Sequence, residues 1–184
     1  MRERYLQLPK SRVGVAIGPE GAVKRRIERE TGTKLIFDSD TGKVVIRAGE
    51  ENPLGPLVAE ETLKAIGRGF SPDRAFRLFG DDVYLEVIDI TSYAGRSDKA
   101  RTRLKGRVIG EAGKTRKIIE ETTGAAVSVY GKTVSLIGTP KQLEVAREAV
   151  HMLLGGAPHS VVYSFLERKR RELKRELKIW RARG

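Results

Sequence analysis

Two short glycine elements carry the chemistry in this sequence: Gly18-Pro19-Glu20-Gly21 and Gly110-Glu111-Ala112-Gly113. Glycines spaced three apart let a backbone turn tightly and lie flush against a ligand, because no Cβ intervenes. A helix that follows points its first N–H groups and its positive dipole end at that ligand, which suits phosphate. Cations stand directly downstream: Lys24, Arg25 and Arg26 in one case, Lys114, Arg116 and Lys117 in the other. Two carboxylates, Glu20 and Glu111, lie inside the elements and repel phosphate unless they point away. Pro19 stiffens the first element and removes an N–H. The second element is therefore the stronger phosphate binder of the two.

Other chemistry is thinly represented. Ala112-Gly113-Lys114-Thr115 ends like a nucleotide-binding P-loop, but that motif needs glycine five residues before Gly113, where Val108 stands. A nucleotide-hydrolysing enzyme using Gly113-Lys114-Thr115 is the rival reading. Asp38/Asp40 and Asp81-Asp82 sit in turn-like segments, where aspartate is common. The chain has no cysteine, which excludes a disulfide scaffold, a thiolate metal site and a cysteine nucleophile. Two histidines, His151 and His159, are too few for a histidine metal cluster. No metal, no cofactor and no catalytic residue is expected. No run of 18 apolar residues exists, so the protein is expected to be soluble and cytoplasmic, with no membrane partner. Asn and Gln total three and Met two, a depletion seen in thermophiles. Among 184 residues, 36 Lys+Arg oppose 24 Asp+Glu, a net +12 that points to a polyanion.

The elements that must position the glycines come from a duplication. Residues 14–32 and 106–124 align at a constant offset of 92 with 8 of 19 positions identical, where average composition gives roughly one or two. The pairs include Gly14/Gly106, Ile17/Ile109, Ile27/Ile119, Glu28/Glu120 and Gly32/Gly124. Each copy reads as strand, helix, helix, strand, strand, helix. Strands are expected at 5–8 and 83–88, and helices at about 11–17 and 99–109 before each glycine element. In the helices after it, Val23, Ile27 and Thr31 face inward in one copy, and Thr115, Ile118, Ile119 and Thr122 in the other. Gly32 and Gly124 stop these helices. Strands then flank Asp38–Gly42 in the first copy and the tighter Gly131-Lys132 turn in the second. Closing helices span about 56–68, with Leu57, Leu63 and Ile66 inward, and about 140–154, with Leu143, Ala146, Val150 and Leu153 inward.

Between the copies, Ser71-Pro72-Asp73 starts a short apolar helix, expected to dock the two units together. At the C-terminus, residues 167–184 hold nine cations against three carboxylates, so half the net charge lies in the last tenth of the chain. Val162, Leu166, Leu173, Leu177 and Trp180 share one helical face, expected to pack on the second unit. The opposite face, with Arg168, Arg171, Lys174, Arg175 and Lys178, would add phosphate contacts beside the second glycine element.

Ile17-Gly18-Pro19-Glu20-Gly21 and Val108-Ile109-Gly110-Glu111-Ala112-Gly113-Lys114 resemble the signature of KH domains, and the element order resembles the eukaryotic (type I) topology. The resemblance implies an α+β fold of two tandem KH domains, each a three-stranded sheet packed on three helices. The domains would span 1–79 with the connecting helix and 80–158, followed by a basic C-terminal helix at 159–184. KH domains clamp about four nucleotides of single-stranded nucleic acid at this loop. The implied contacts in the second unit are Val108, Ile109, Gly110, Glu111, Ala112, Gly113, Lys114, Thr115, Arg116 and Lys117, with Val127 and Val129 across an aliphatic groove. In the first unit they are Ile17, Gly18, Pro19, Glu20, Gly21, Lys24 and Arg25, with Leu35 and Phe37 in the groove. The connector "AIGRGFSPDRAFRLF", the opening "YLEVIDI" and the ending "LLGGAPHSVVYSFLERKRR" further resemble the partner-of-Nob family of small-subunit ribosome assembly factors, in archaeal form. The Krr family of assembly factors is similar. This resemblance implies a non-catalytic protein, acting as a monomer on the 3′ region of small-subunit ribosomal RNA. Its implied protein partners are the Nob endonuclease and the alpha subunit of archaeal initiation factor two.

Overall fold

The computed structural model describes residues 2–183 and divides into two compact units between Leu85 and Glu86. In the first unit the order is β1 (Glu3–Gln7), α1 (Lys10–Ile17), α2 (Ala22–Thr31), β2 (Thr33–Phe37), β3 (Lys43–Ala48) and α3 (Gly55–Gly67). A short α4 (Pro72–Ala75) runs on into a 3-10 turn. The sheet is antiparallel with order β1-β3-β2, so β2 lies at an edge. Tyr5 and Ile36 both pair with Val45. Val44, Ile46 and Leu35 point to the helices and are fully buried. That alternation is what a strand with one covered face requires.

The second unit repeats the plan: β4 (Tyr84–Asp89), α5 (Thr91–Ala94), α6 (Asp98–Ile109), α7 (Lys114–Thr123), β5 (Ala126–Tyr130), β6 (Thr133–Gly138) and α8 (Pro140–Leu154). Sheet order is β4-β6-β5. A long α9 (His159–Arg183) follows. Helix α5, which no sequence pattern announces, is a single turn begun where Asp89 accepts from the Thr91 N–H at 2.9 Å. Ser97 caps α6 through the Ala100 N–H, and Thr139 with Gln142 forms a capping box on α8.

Local chemistry explains the helix faces. Thr115, Ile119 and Thr123 are buried at i, i+4, i+8, so Thr123, not Thr122, lies on the inward face of α7. Its hydroxyl donates to the Ile119 carbonyl at 2.8 Å, as Thr31 does to Ile27 at 2.6 Å, which lets a threonine sit in an apolar core. Leu57, expected inward on α3, is 45% exposed. Ala59, Thr62, Leu63 and Ile66 form the buried face instead. Gly55 and Pro56 occupy the first turn, and their burial rotates the contact face away from Leu57.

Arg12 on α1 holds the C-terminal end of α3, donating to the carbonyls of Ile66 (2.8 Å) and Phe70 (2.9 Å). Arg107 on α6 does the same for α8, donating to Leu153 (2.8 Å) and to Ala157. These carbonyls lack intrahelical partners, and a cation there also meets the negative end of the helix dipole. The connector α4 packs on α3 of the first unit. Its Phe76 stacks on Phe79 and lies 4.4 Å under the guanidinium of Arg26.

Candidate nucleic-acid interface

Each glycine element forms a 3-10 turn between two helices, and the two copies are nearly superimposable in dihedral space. Gly18 has φ 75° and ψ 174°, Gly110 φ 75° and ψ 172°. Gly21 and Gly113 both have φ 76°. A Cβ on Gly18 would lie 2.9 Å from the Val23 nitrogen, and one on Gly110 2.7 Å from the Thr115 nitrogen. The first glycine of each element is therefore fixed by close approach to the next helix. The residue before the last glycine, Glu20 or Ala112, is itself left-handed at φ 53° or 51°. Such a conformation costs about 1–2 kcal/mol for a residue with a side chain, so each loop is held open by its surroundings.

The carboxylates occupy different places in the two loops. Glu20 is the third residue of its element and Glu111 the second of its own, and both are exposed. The Glu20 carbonyl accepts from Arg25 Nη1 at 2.6 Å, which bends this cation back along the first loop. Arg26 is drawn away to Phe76. Lys24 is half-buried, Lys114 is exposed at the second loop, and Lys117 is exposed and pairs with Glu121 at 3.9 Å. Arg116 pairs with Glu120 at 3.1 Å.

Across from each loop lies the edge strand. Leu35 N–H donates to Glu28 Oε2 at 2.9 Å, and Val127 N–H to Glu120 Oε2 at 3.2 Å. The Glu28/Glu120 identity thus has a structural role: each carboxylate accepts from the edge strand near its start. Because backbone groups alternate sides along a strand, the peptide groups of Phe37 and Val129 also face away from the sheet. Apolar side chains floor the space between. Ile17 and Ile109 are half-buried, as are Phe37 and Val129.

Four expected contacts are corrected. Val108 is 0% exposed and Val127 1%, so both side chains belong to the core, as does Leu35. Only their backbones border the groove. Their strand and helix positions point inward because neighbours two or four residues away already form the core face. Thr115 is buried too, and its hydroxyl shares a hydrogen bond of 2.9 Å with the Tyr163 hydroxyl. That Thr115 is so committed, and that α6 rather than a strand precedes the loop, removes the setting a P-loop needs. Among the described residues no group of His, Asp and Glu could hold a metal, and no helix is long and apolar enough to cross a membrane.

The C-terminal helix departs from expectation. Val162, Phe165 and Leu166 are buried against α7 and α8. Beyond Leu173 the stripe stands in solvent, with Leu177 58%, Ile179 55% and Trp180 77% exposed. Arg168, Arg171, Lys174, Arg175 and Lys178 are all exposed. Arg171 pairs with Glu167 at 3.7 Å. Residues Arg103, Arg107, His159 and Tyr163 border the second loop as well, positions that no motif in the sequence connects with it.

A helix–GxxG–helix turn packed beside an antiparallel edge strand, with strand order β1-β3-β2 and a closing helix, is the type I KH domain, and this chain carries two. Comparison with known proteins places it more narrowly. A model of the second KH domain of PNO1, a eukaryotic type KH-domain (KH-domain type I), matches residues 84–171, and a KH domain model matches residues 3–54. A KH domain-containing protein of Methanocaldococcus jannaschii is 50% identical over 179 residues, spanning 96% of this chain and 78% of the relative. The pre-rRNA-processing protein PNO1 of Coccidioides immitis is 32% identical over 58% of this chain, which spans 42% of that protein. A crystal structure of the a/eIF2alpha–aDim2p–rRNA complex of Pyrococcus horikoshii contains a chain 47% identical, with TM-score 0.87 over 93% of this chain and 95% of that one. The chain belongs to the PNO1/Dim2 family of tandem KH proteins.

Proposed function

We propose that this chain binds single-stranded RNA through the grooves beside both glycine loops, without catalysis, and that its ligand is the 3′ region of small-subunit ribosomal RNA. The observation that carries this reading is the pair of loops with matching dihedrals, each facing an edge strand with outward peptide groups. Loop N–H groups and the helix that follows suit backbone phosphates. The apolar floor and outward strand backbone suit unstacked bases. The rRNA assignment draws on the relatives, one called a pre-rRNA-processing protein and one seen with rRNA and a/eIF2alpha. The alpha subunit of initiation factor two is accordingly proposed as a protein partner here, and the Nob endonuclease belongs to the same reading. The protein is taken to work in the cytoplasm, as a monomer.

Fluorescence anisotropy with an oligonucleotide of the 3′ sequence of the cognate small-subunit rRNA tests this. Ala112→Asp suits a left-handed position, where aspartate is tolerated, and it adds an anion at the phosphate path. Affinity is expected to fall at least about tenfold, the loss of one charge-assisted contact, with the melting temperature kept. Unchanged affinity, or equal affinity for a duplex of the same sequence, overturns the proposal. ATP turnover that disappears in Lys114→Ala would replace it with an enzyme.

A further inference from the structure

A cleft of about 410 Å³ opens in the second unit between the Gly110–Gly113 loop and the start of α9. Its walls carry Arg103 and Arg107 from α6, Lys114 from the first turn of α7, and His159 and Tyr163 from the first turns of α9, with Glu111 at the loop. Three permanent cations therefore face one carboxylate. The floor at Gly106 is open, since a Cβ there would meet nothing within 4 Å.

The walls are fixed by bonds that do not consume their charge. Tyr163 and Thr115 hydroxyls bond at 2.9 Å, tying α9 to α7. His159 Nε2 lies 3.0 Å from the Arg107 carbonyl, tying α9 to α6. A carbonyl only accepts, so this nitrogen carries the proton. Arg107 gives N–H groups to the carbonyls of Leu153 and Ala157. A guanidinium has five such donors, so Arg107 retains others while staying locked in place.

The duplication supplies a control. At the offset of 92, the positions of Arg103, Arg107 and Lys114 are Ser11, Val15 and Ala22 in the first unit. Glu111 corresponds to Pro19 and Thr115 to Val23. The element that follows α3 is the short α4 with its 3-10 turn, ending at Phe79, whereas α9 runs on to Arg183. Arg103, Lys114 and a long helix that completes the cleft are thus present together in one copy and missing together from the other, where Arg12 takes only the capping role of Arg107. A general need for solubility would not sort them this way.

We infer that this cleft is a second phosphate seat, specific to the second unit, which holds a backbone phosphate of the RNA strand outside the stretch clamped at the glycine loop. The inference rests on the RNA-binding reading above and deepens it. Gly110 and Glu111 border both the loop and the cleft, so one strand can pass from one to the other. The second unit then grips a longer stretch of RNA than the first, and α9 acts as a wall of the binding site.

The test uses the full chain carrying Lys24→Glu, which weakens the first loop, and a ladder of oligoribonucleotides of about four to eight residues, the shortest filling one KH groove. Arg103 is exposed, so Arg103→Ala should fold normally, and circular dichroism verifies it. Arg103→Ala should leave the four-residue RNA unchanged. It should weaken the longer ones about fivefold and lower the slope of log affinity against log salt by about 0.7, one phosphate contact on a single strand. A methylphosphonate at one linkage outside the tetranucleotide should reproduce the loss, and Arg103→Ala should then add nothing. Arg103→Lys should recover most of the affinity. Equal losses at every length, no loss at any length, or additive losses at every methylphosphonate overturn the seat. If inorganic phosphate or ATP binds the parent and is weakened by Arg103→Ala while the RNA ladder is not, the cleft serves a free anion and the proposal fails. If the parent does not bind the four-residue RNA, the RNA-binding reading fails and takes this inference with it.

Discussion

Replacing Gly110 and Gly113 by alanine, one at a time, separates two costs that the loop combines. Gly110 sits at φ 75°, ψ 172°, a region closed to side chains that costs about 1–3 kcal/mol. The added Cβ would also lie 2.7 Å from the Thr115 nitrogen. That atom is part of the α7 backbone and cannot swing aside, and overpacking of this kind adds about 1–3 kcal/mol. Gly113 is at φ 76°, ψ 12° with nothing within 4 Å of a built Cβ, so alanine there costs only about 1–2 kcal/mol. For a chain of this size each kcal/mol lowers the melting temperature by about 2–4 °C. Taking about 4 kcal/mol for Gly110→Ala, the protein should melt about 8–16 °C lower, against about 2–8 °C for Gly113→Ala. Differential scanning calorimetry without RNA measures both. Equal shifts would refute the close-approach argument and reduce the motif to two left-handed positions. The same geometry explains why a double Gly110/Gly113 substitution is a poor probe of RNA binding, since it loses stability along with affinity.

Further outcomes are expected. Glu111→Lys exchanges an exposed anion for a cation at the second loop, and should tighten single-stranded RNA and steepen its salt slope by about 0.7; an unchanged slope in a salt titration would show that this side chain points off the phosphate path. Arg12→Ala removes the guanidinium donor from the Phe70 carbonyl and from the Ile66 carbonyl, which keeps the Gly69 N–H, and should cost about 1.5–3 kcal/mol, one uncompensated hydrogen bond to a charged group, read from urea unfolding; a loss under about 0.5 kcal/mol, within the ordinary scatter of surface substitutions, would deny the capping role. Deleting residues 172–184 should leave the melting temperature unaltered because Leu177, Ile179 and Trp180 are exposed, and should lower the RNA salt slope only if the tail touches phosphate; a lower melting temperature would show that the distal stripe packs. The Asp89 carboxylate accepts from the Thr91 hydroxyl and N–H, which hold its pKa below the ordinary 3.8. A lowered folded-state pKa means that its stabilisation is complete above about pH 4 and fades as pH falls through the lowered value. Asp89→Asn should therefore destabilise at pH 7 and progressively less in acid, and a pH-independent difference would contradict this.

The duplication, the loop glycines and the order of elements were readable from residue types alone. Their causes are local: glycines where φ must be positive, apolar residues at i and i+4, and caps at Ser71, Ser97 and Thr139. The repeat also flagged Glu28 and Glu120 as identical, but what they accept from became apparent only when the edge strands were placed against α2 and α7. Side-chain direction within the groove was beyond sequence. Val108 and Ile109 are adjacent and chemically alike, yet one is core and the other faces the groove, because a helix rotates each successive residue by about 100° and tertiary packing fixes the phase. The tail shows the same limit. Its stripe has one period from Val162 to Trp180, but only the turns beside α7 and α8 find a surface to cover. The cleft at α9 assembles residues about 50 apart in sequence, Arg107 with His159 and Thr115 with Tyr163. Sequence by itself determined that two glycine loops exist, each directly ahead of a helix N-terminus, because that demand falls on a few consecutive residues. Only tertiary structure decided which neighbours complete each loop, because that depends on where distant helices come to rest.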